Sequence, residues 1–144
     1  MLYGHVEQMS HRIDHLDRLR QLQDETGGFT SIVPYAFEPR NNALGHLPRI
    51  SPEEELRMLA LTRIYLDNFD HVTGYWISLG MDLARRSLHY GVDDLHGTIF
   101  REKIFHMAGA ATPEEQSVAA LEAASRAEGR EPRRRNTVYE LVEA

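Results

Sequence analysis

Apolar residues change their spacing back and forth along this chain, and that alternation constrains its fold more than any other feature. Residues 1–7, MLYGHVE, follow the two-residue period of a strand, with Tyr3, His5 and Glu7 on one face and Leu2, Gly4 and Val6 on the other. Ile13, Leu16, Leu19 and Leu22 then recur at helical spacing, behind Ser10 as N-cap and ahead of a Gly27-Gly28 stop. Residues 29–37 are rich in aromatic and β-branched side chains and predict a second strand. Pro34 donates no ladder hydrogen bond, so a break or bulge is expected there. Residues 38–50 form a long loop, and long loops in compact domains often carry function.

Ser51-Pro52-Glu53-Glu54 combines an N-cap serine, a first-turn proline and a capping-box glutamate. The helix it opens carries Leu56, Leu59, Leu61, Ile64, Leu66 and Phe69 around much of its circumference, which predicts deep burial. Residues 72–79 read as a third strand, followed by a helix through Leu83, Ala84 and Leu88 that Gly91 closes. Residues 92–99 read as a short fourth strand. A last helix is expected from Thr112-Pro113-Glu114-Glu115 to Gly129, and residues 136–142 should add a strand or a short helix.

Strands alternating with helices predict an α/β fold with about four parallel strands. A closed eight-unit barrel takes roughly 250 residues, so these 144 residues supply half of one, or a small open sheet. Either arrangement leaves parallel strands without neighbours, and unpaired edges favour association with a second copy or with another chain. The first segment begins inside a strand with no turn or polar leader, so upstream sequence is expected to be missing.

A net charge of −6 argues against a nucleic-acid-tracking surface. The short basic run of Arg130, Arg133, Arg134 and Arg135 is read as solvated surface, with a phosphate or partner contact as the alternative. There is no cysteine, which rules out disulfides, a thiol nucleophile and any cysteine-ligated zinc or iron–sulfur centre built from this chain alone. No signal peptide opens the chain, and no apolar run approaches the ~20 residues of a membrane span. A soluble, cytoplasmic chain without a membrane partner is expected.

In an α/β barrel chemistry sits at the C-terminal ends of the strands. His5 and Glu7 lie at such an end and are expected to point the same way as Tyr3, either as functional groups or as surface hydrogen bonds or a helix-start contact. His11 and His15 have a spacing that binds metals on helices, but no glutamate adjoins the first, so a solvated face is the preferred reading. Asn41 and Asn42 reach a ligand from the rim or cap the loop, and Asp93-Asp94 bind a cation or cap the next element. Trp76 is read as packing.

Seven short motifs, in order, add a resemblance. They are MLYGHVE (1–7), LRQLQDETGGF (19–29), IVPYAFEPRN (32–41), LDNF (66–69), YWISLG (75–80), DDLHGTI (93–99) and EKIFHMAGA (102–110). Together they resemble the C-terminal half of the menaquinone-pathway radical SAM enzymes related to the deazaflavin (FO) synthase subunit. Within that group the chain resembles the aminodeoxyfutalosine synthase branch, with the cyclic dehypoxanthinyl futalosine synthase branch as the alternative.

The resemblance implies strands five to eight of a TIM-type (β/α)8 radical SAM barrel over residues 1–110, with a helical C-terminal tail, residues 111–144, packed on it. Such enzymes use S-adenosylmethionine and a [4Fe–4S] cluster on a C-x-x-x-C-x-x-C loop to make a 5′-deoxyadenosyl radical. In the synthase branch the radical adds to 3-[(1-carboxyvinyl)oxy]benzoate, a small-molecule substrate. Gly4-His5-Val6-Glu7 resembles the fifth-strand motif beside the SAM adenosine, which implies cofactor binding by Gly4 and Glu7 with His5 as a neighbour. The cluster ligands are absent from this chain. The resemblance therefore implies a missing N-terminal half-barrel as partner, or self-association, and no turnover by the chain alone.

Overall fold

Pro34 divides one extended run into two strands that serve different neighbours. The computed structural model describes residues 1–99 and 102–142. β1 (Leu2–Tyr3) pairs in parallel with β3 (Tyr35–Ala36), and β2 (Ser31–Ile32) pairs in parallel with β4 (His71–Val72). Thr73, just past β4, makes a parallel bridge to Asp94. The strand segments thus lie side by side in chain order: residues 2–3, 31–36, 71–73 and 94. The proline supplies no N–H at the hand-over, while Tyr35 N donates to Met1 O (2.7 Å) and Thr73 N to Ile32 O (2.9 Å).

Helices connect the strands. α1 (Met9–Thr26) ends where Gly27 takes the left-handed conformation (φ 57°) and its N–H bonds Gln23 O. α2 (Pro52–Tyr65) starts as the sequence predicts, with Ser51 Oγ accepting from Glu54 N at 3.2 Å. Two short helices follow β4: α3 (Trp76–Leu79) and α4 (Met81–Ser87). α5 (Ile104–Met107) and α6 (Val118–Ala127) complete the set among the described residues.

The two sheet faces differ. Along residues 31–38 burial alternates strictly: Ile32, Pro34, Ala36 and Glu38 are buried, while Ser31, Val33, Tyr35 and Phe37 are only partly covered. The buried set packs with Tyr3, Leu16, Leu59, Leu66, Phe69 and Val72 in the core beneath α1 and α2. The partly covered set looks onto an inner face, where register also places Leu2, His71, Thr73 and Asp94. Leu2 is 55% exposed there.

Several expectations need correcting. Residues 1–7 are not one strand: Gly4 turns out at φ 88° after two paired residues, so His5 and Glu7 do not continue the face of Tyr3. Gln8, not Ser10, caps α1, because Gln8 and His11 exchange side-chain and backbone bonds. Residues 72–79 are strand only at the start, and Tyr75 opens α3 so that Trp76 enters the core and donates to Gly97 O at 2.9 Å. Residues 92–99 hold one bridged residue, Asp94, because His96 and Gly97 both have positive φ. Thr112 does not cap the last helix. Its hydroxyl donates to Ile77 O instead, and Ser117 caps α6. Residues 136–142 form neither strand nor helix beyond one Arg135–Leu141 bridge.

Candidate functional site

The bend after β1 is fastened by a carboxylate. Glu7 accepts from Gly4 N (2.5 Å), His5 N (2.9 Å) and Arg12 Nε (2.7 Å), and Arg12 also reaches Glu54 at 3.0 Å. Burial alone would raise the Glu7 pKa, but these donors outweigh it and hold it at about 2. A side chain at Gly4 would place its Cβ 2.9 Å from Ile50 in a left-handed conformation. Gly4 and Glu7 are therefore engaged by their own chain. His5 accepts from Val6 N and stands edge-on to Phe37 at 5.6 Å, on the open side.

From there a strip of rings runs along the strands' C-terminal ends. Tyr35 meets Tyr75 edge-on at 5.1 Å, and Tyr75 meets His96 edge-on at 5.2 Å. Phe105, from α5, lies 5.7 Å from Tyr35 and 5.6 Å from Tyr75. Burial raises the pKa of both tyrosines, and the Glu102 carboxylate adds to it. Their hydroxyls therefore stay protonated and able to donate. Desolvation lowers the His96 pKa, so its ring is neutral near pH 7. No hydrogen bond to the Tyr35 or Tyr75 hydroxyl or to the His96 ring occurs among the described residues.

His96 is unusual in its backbone as well. It sits at φ 70°, a left-handed conformation that costs a non-glycine residue about 1–2 kcal/mol. The residue after it is held by the Trp76 indole, which donates to Gly97 O at 2.9 Å.

The opposite end of the inner face is closed. Asp94 takes two bonds from Arg135, at 2.9 and 2.8 Å, and further bonds from Thr73 (2.9 Å) and Tyr139 (3.2 Å). Arg135 lies 4.0 Å above the Tyr139 ring, which in turn stacks on His71 at 4.1 Å. Asp93 binds Arg63 and His71. Neither aspartate caps an element, as the sequence suggested. The basic run is not uniformly solvated either, since Arg134 pairs with Glu122 and Arg135 with Asp94. A cavity of about 1010 Å³ runs from this end up to His96. Of the ring strip only His96 lines it, and several of its wall charges, Asp94, Arg134 and Arg135 among them, are already paired.

A third polar group lies on the helix side of the sheet. Buried Glu38 and Glu55 share Arg49, which also donates to Ser78 O at 2.7 Å. Burial pushes Glu55 up to about 7 against the pull of Arg49. This cluster ties the 38–50 loop to α2 and α3. Asn42 serves that loop too, donating to Glu38 O and accepting from Leu44 N, while Asn41 N bonds Ala108 O. His11 is spent on capping α1, and His15 is exposed. Among the described residues no three His, Asp or Glu side chains are grouped to hold a metal. Trp76 packs in the core, as its sequence position suggested.

The CofH/MqnC C-terminal region family matches residues 26–144. The chain belongs to that family. It is 47% identical over 99% of its length to aminodeoxyfutalosine synthase of Thermus thermophilus, of which it covers 39%. It is 39% identical over 97% of its length to cyclic dehypoxanthine futalosine synthase of Streptomyces coelicolor, covering 35%. Identity is 40% to a 5-amino-6-(D-ribitylamino)uracil–L-tyrosine 4-hydroxyphenyl transferase of Methanoculleus marisnigri, over 99% of this chain and 40% of that protein. The chain thus spans about two-fifths of the length of these curated relatives. Every element of the ring strip falls inside the CofH/MqnC C-terminal match, whereas the Gly4–Glu7 bend precedes it.

Proposed function

We propose that this chain is the C-terminal half of a (β/α)8 radical SAM barrel and supplies part of the pocket of an aminodeoxyfutalosine synthase. The observation that carries the proposal is the set of parallel strands in chain order, with aromatic groups facing inward at their C-terminal ends. The higher identity to the synthase than to its sister enzyme favours that branch. On this reading residues 1–110 are barrel and residues 111–144 pack on it, supported by the Thr112–Ile77, Arg85–Glu128 and Arg135–Asp94 contacts.

The chain has no cysteine, so it does not fit a [4Fe–4S] cluster. S-adenosylmethionine fits better. The Gly4 bend lets the backbone turn away, Glu7 fixes it, and His5 with Phe37 forms a wall suited to a planar adenine. When bound, that cofactor supplies a 5′-deoxyadenosyl group, and the chain's own part is to shape the pocket and exclude water. The partner is an N-terminal half-barrel, or a second copy of the chain, against the open inner face. Leu2 there, and Ile104 and Met107 on α5, expose apolar surface of the kind a partner covers. No helix among the described residues is long and apolar enough to cross a membrane, in keeping with a cytoplasmic enzyme.

The test is reconstitution. The chain is co-expressed with a cysteine-bearing N-terminal half, and product is followed by mass spectrometry under reducing, anaerobic conditions with S-adenosylmethionine and 3-[(1-carboxyvinyl)oxy]benzoate. Turnover by the pair and none by either part is expected. Turnover by the isolated chain, or a well-folded complex without turnover, overturns the proposal.

A further inference from the structure

We propose that Glu55 is a buried neutral acid whose proton is shared with Ser78 Oγ, directly or through one buried water, and that this proton clasps the 38–50 loop to α2 and α3. The clasp lies on the helix side of the sheet, away from the inner face, and does not rest on the proposed function.

Glu55 is 1% exposed on α2, and its Oε2 has no hydrogen-bond partner among the described residues. Ser78, 5% exposed on α3, is in the same position at Oγ. Both residues meet at one guanidinium: Arg49 Nη2 stands 2.7 Å from Ser78 O and 3.4 Å from Glu55 Oε1. The first is a full hydrogen bond, whereas the second is at the far edge of the range. Glu38 is better served, with Arg40 Nε at 2.9 Å and Arg49 Nη1 at 3.3 Å. An ionised Glu55 therefore carries its charge in the core with one oxygen orphaned and the other weakly met. That costs far more than burying a neutral acid. A proton on Oε2 removes the charge and makes that atom a donor, and Ser78 Oγ is an acceptor without one. Two orphans then become one bond, or two bonds to a water.

The surroundings set when that proton leaves. From the 38–50 loop, Arg49 favours ionisation of Glu55 and Glu38 opposes it. β1 contributes Tyr3, whose hydroxyl burial keeps protonated. α1 contributes Arg12, which lies over the Tyr3 ring and is already bound by Glu7 and Glu54. α3 brings Ser78 and no charge. Burial outweighs Arg49 and lifts Glu55 to about 7, so the proton is held through the mildly acidic range. Because the folded value is raised, the stabilisation is complete below the ordinary carboxylate value and is lost as pH rises through the folded one. Once ionised, Glu55 competes with Ser78 O for Arg49 Nη2, and the tie between loop and α3 loosens.

The experiment labels the glutamate carboxyl carbons of the full 144-residue chain and follows them by NMR across the acid-to-alkaline range. The Glu55 signal is assigned by its loss in Glu55→Gln. It should titrate at least about one pH unit above the exposed glutamates. An infrared carboxylic-acid stretch should persist where those glutamates are ionised, and should vanish in Glu55→Gln. Amide exchange of residues 76–80, corrected for its intrinsic rate, should quicken at least about tenfold as Glu55 ionises. In Glu55→Gln, which copies the neutral acid, that dependence should be flat. Ser78→Ala removes the acceptor and should lower the Glu55 midpoint by at least about half a unit. If Glu55→Gln does not fold, the signal that moves between wild type and Ser78→Ala supplies the assignment, and its midpoint decides. Titration of Glu55 together with the exposed glutamates overturns the inference. So does a midpoint unmoved or raised in Ser78→Ala, or exchange in 76–80 that depends on pH equally in wild type and Glu55→Gln.

Discussion

The two ends of the inner sheet face are built from similar residue types and used in opposite ways. At the strands' N-terminal end, Asp94, Thr73, Arg135, Tyr139 and His71 satisfy one another. At the C-terminal end, Tyr35, Tyr75 and His96 touch through their rings and leave their polar heads unengaged among the described residues. A saturated network serves stability, whereas the heads at the other end, with Tyr75 in the core and His96 at the surface, add no hydrogen bond within the described residues. The same division holds in α/β barrels, where the bottom is structural and the top carries chemistry.

Breaking the closed end should have the largest effect. Arg135→Ala strands the mostly buried Asp94 carboxylate and should cost about 3 kcal/mol, read as a lower urea midpoint with an unchanged slope. A midpoint within error of wild type would show that the tail contact contributes nothing.

Next comes the Glu7 fastening. Its folded pKa, about 2, lies below the ordinary carboxylate value, so its contribution is fully present above that ordinary value and is lost as pH falls toward 2. Glu7→Gln should therefore lose stability, on the order of 2 kcal/mol at pH 7, and should show a flatter decline between pH 4.5 and 2. Parallel acid-melting curves for the two proteins would refute that role.

A smaller, opposite pH effect is expected at His106. Both ring nitrogens face carbonyl oxygens, of Glu102 and Thr112, so both are satisfied only in the protonated ring. The Thr112 carbonyl contributes most to raising its pKa, opposed by burial and helped by Glu102. Because the folded pKa is raised, the stabilisation is present below the ordinary histidine value and fades as pH rises through the folded one. Hydrogen exchange of residues 105–110 should quicken across that interval, and His106→Gln should abolish the dependence.

The smallest effect sharpens the contrast from the open end. Tyr35→Phe removes a hydroxyl with no bonded partner among the described residues, so stability should change by less than about 0.5 kcal/mol. A loss comparable to that of Arg135→Ala would mean that the two ends do not differ.

Much of the frame was legible in the sequence. Ser51 and Pro52 start α2 where their chemistry dictates, and Pro34 breaks the strand because it lacks an N–H. What misled was local chemistry claimed by distant partners. Thr112 looks like a cap but spends its hydroxyl on Ile77, and the Asp93-Asp94 pair looks like a cap but answers Arg63 and Arg135. Residues 72–79 have strand composition, yet Trp76 finds its core position and its indole acceptor only by leaving the sheet.

The site was legible only in part. Gly4, His5 and Glu7 sit in one bend rather than along a strand face, and Glu7 is absorbed by that bend. Tyr35 and His96 escaped notice individually, and Tyr75, like Trp76, reads as packing rather than a substrate wall. The available signal was the two-residue alternation over 31–38, which separates Tyr35 from the core set. The left-handed turn at His96 has no such signature, because the group that holds the next residue, the Trp76 indole, comes from elsewhere in the chain.

The Asp94–Arg135 pair has a kinetic side. Its partners stand 41 residues apart in the chain, so the carboxylate leaves the ribosome well before the guanidinium that will neutralise it. Until then the outermost strand carries an unpaired acid on its inner side, a charge that discourages edge-to-edge pairing with other nascent chains. Closing that loop carries an entropic cost that grows only slowly with its length. The salt bridge thus acts as a timed cover: repellent while the sheet is incomplete, adhesive once it is built.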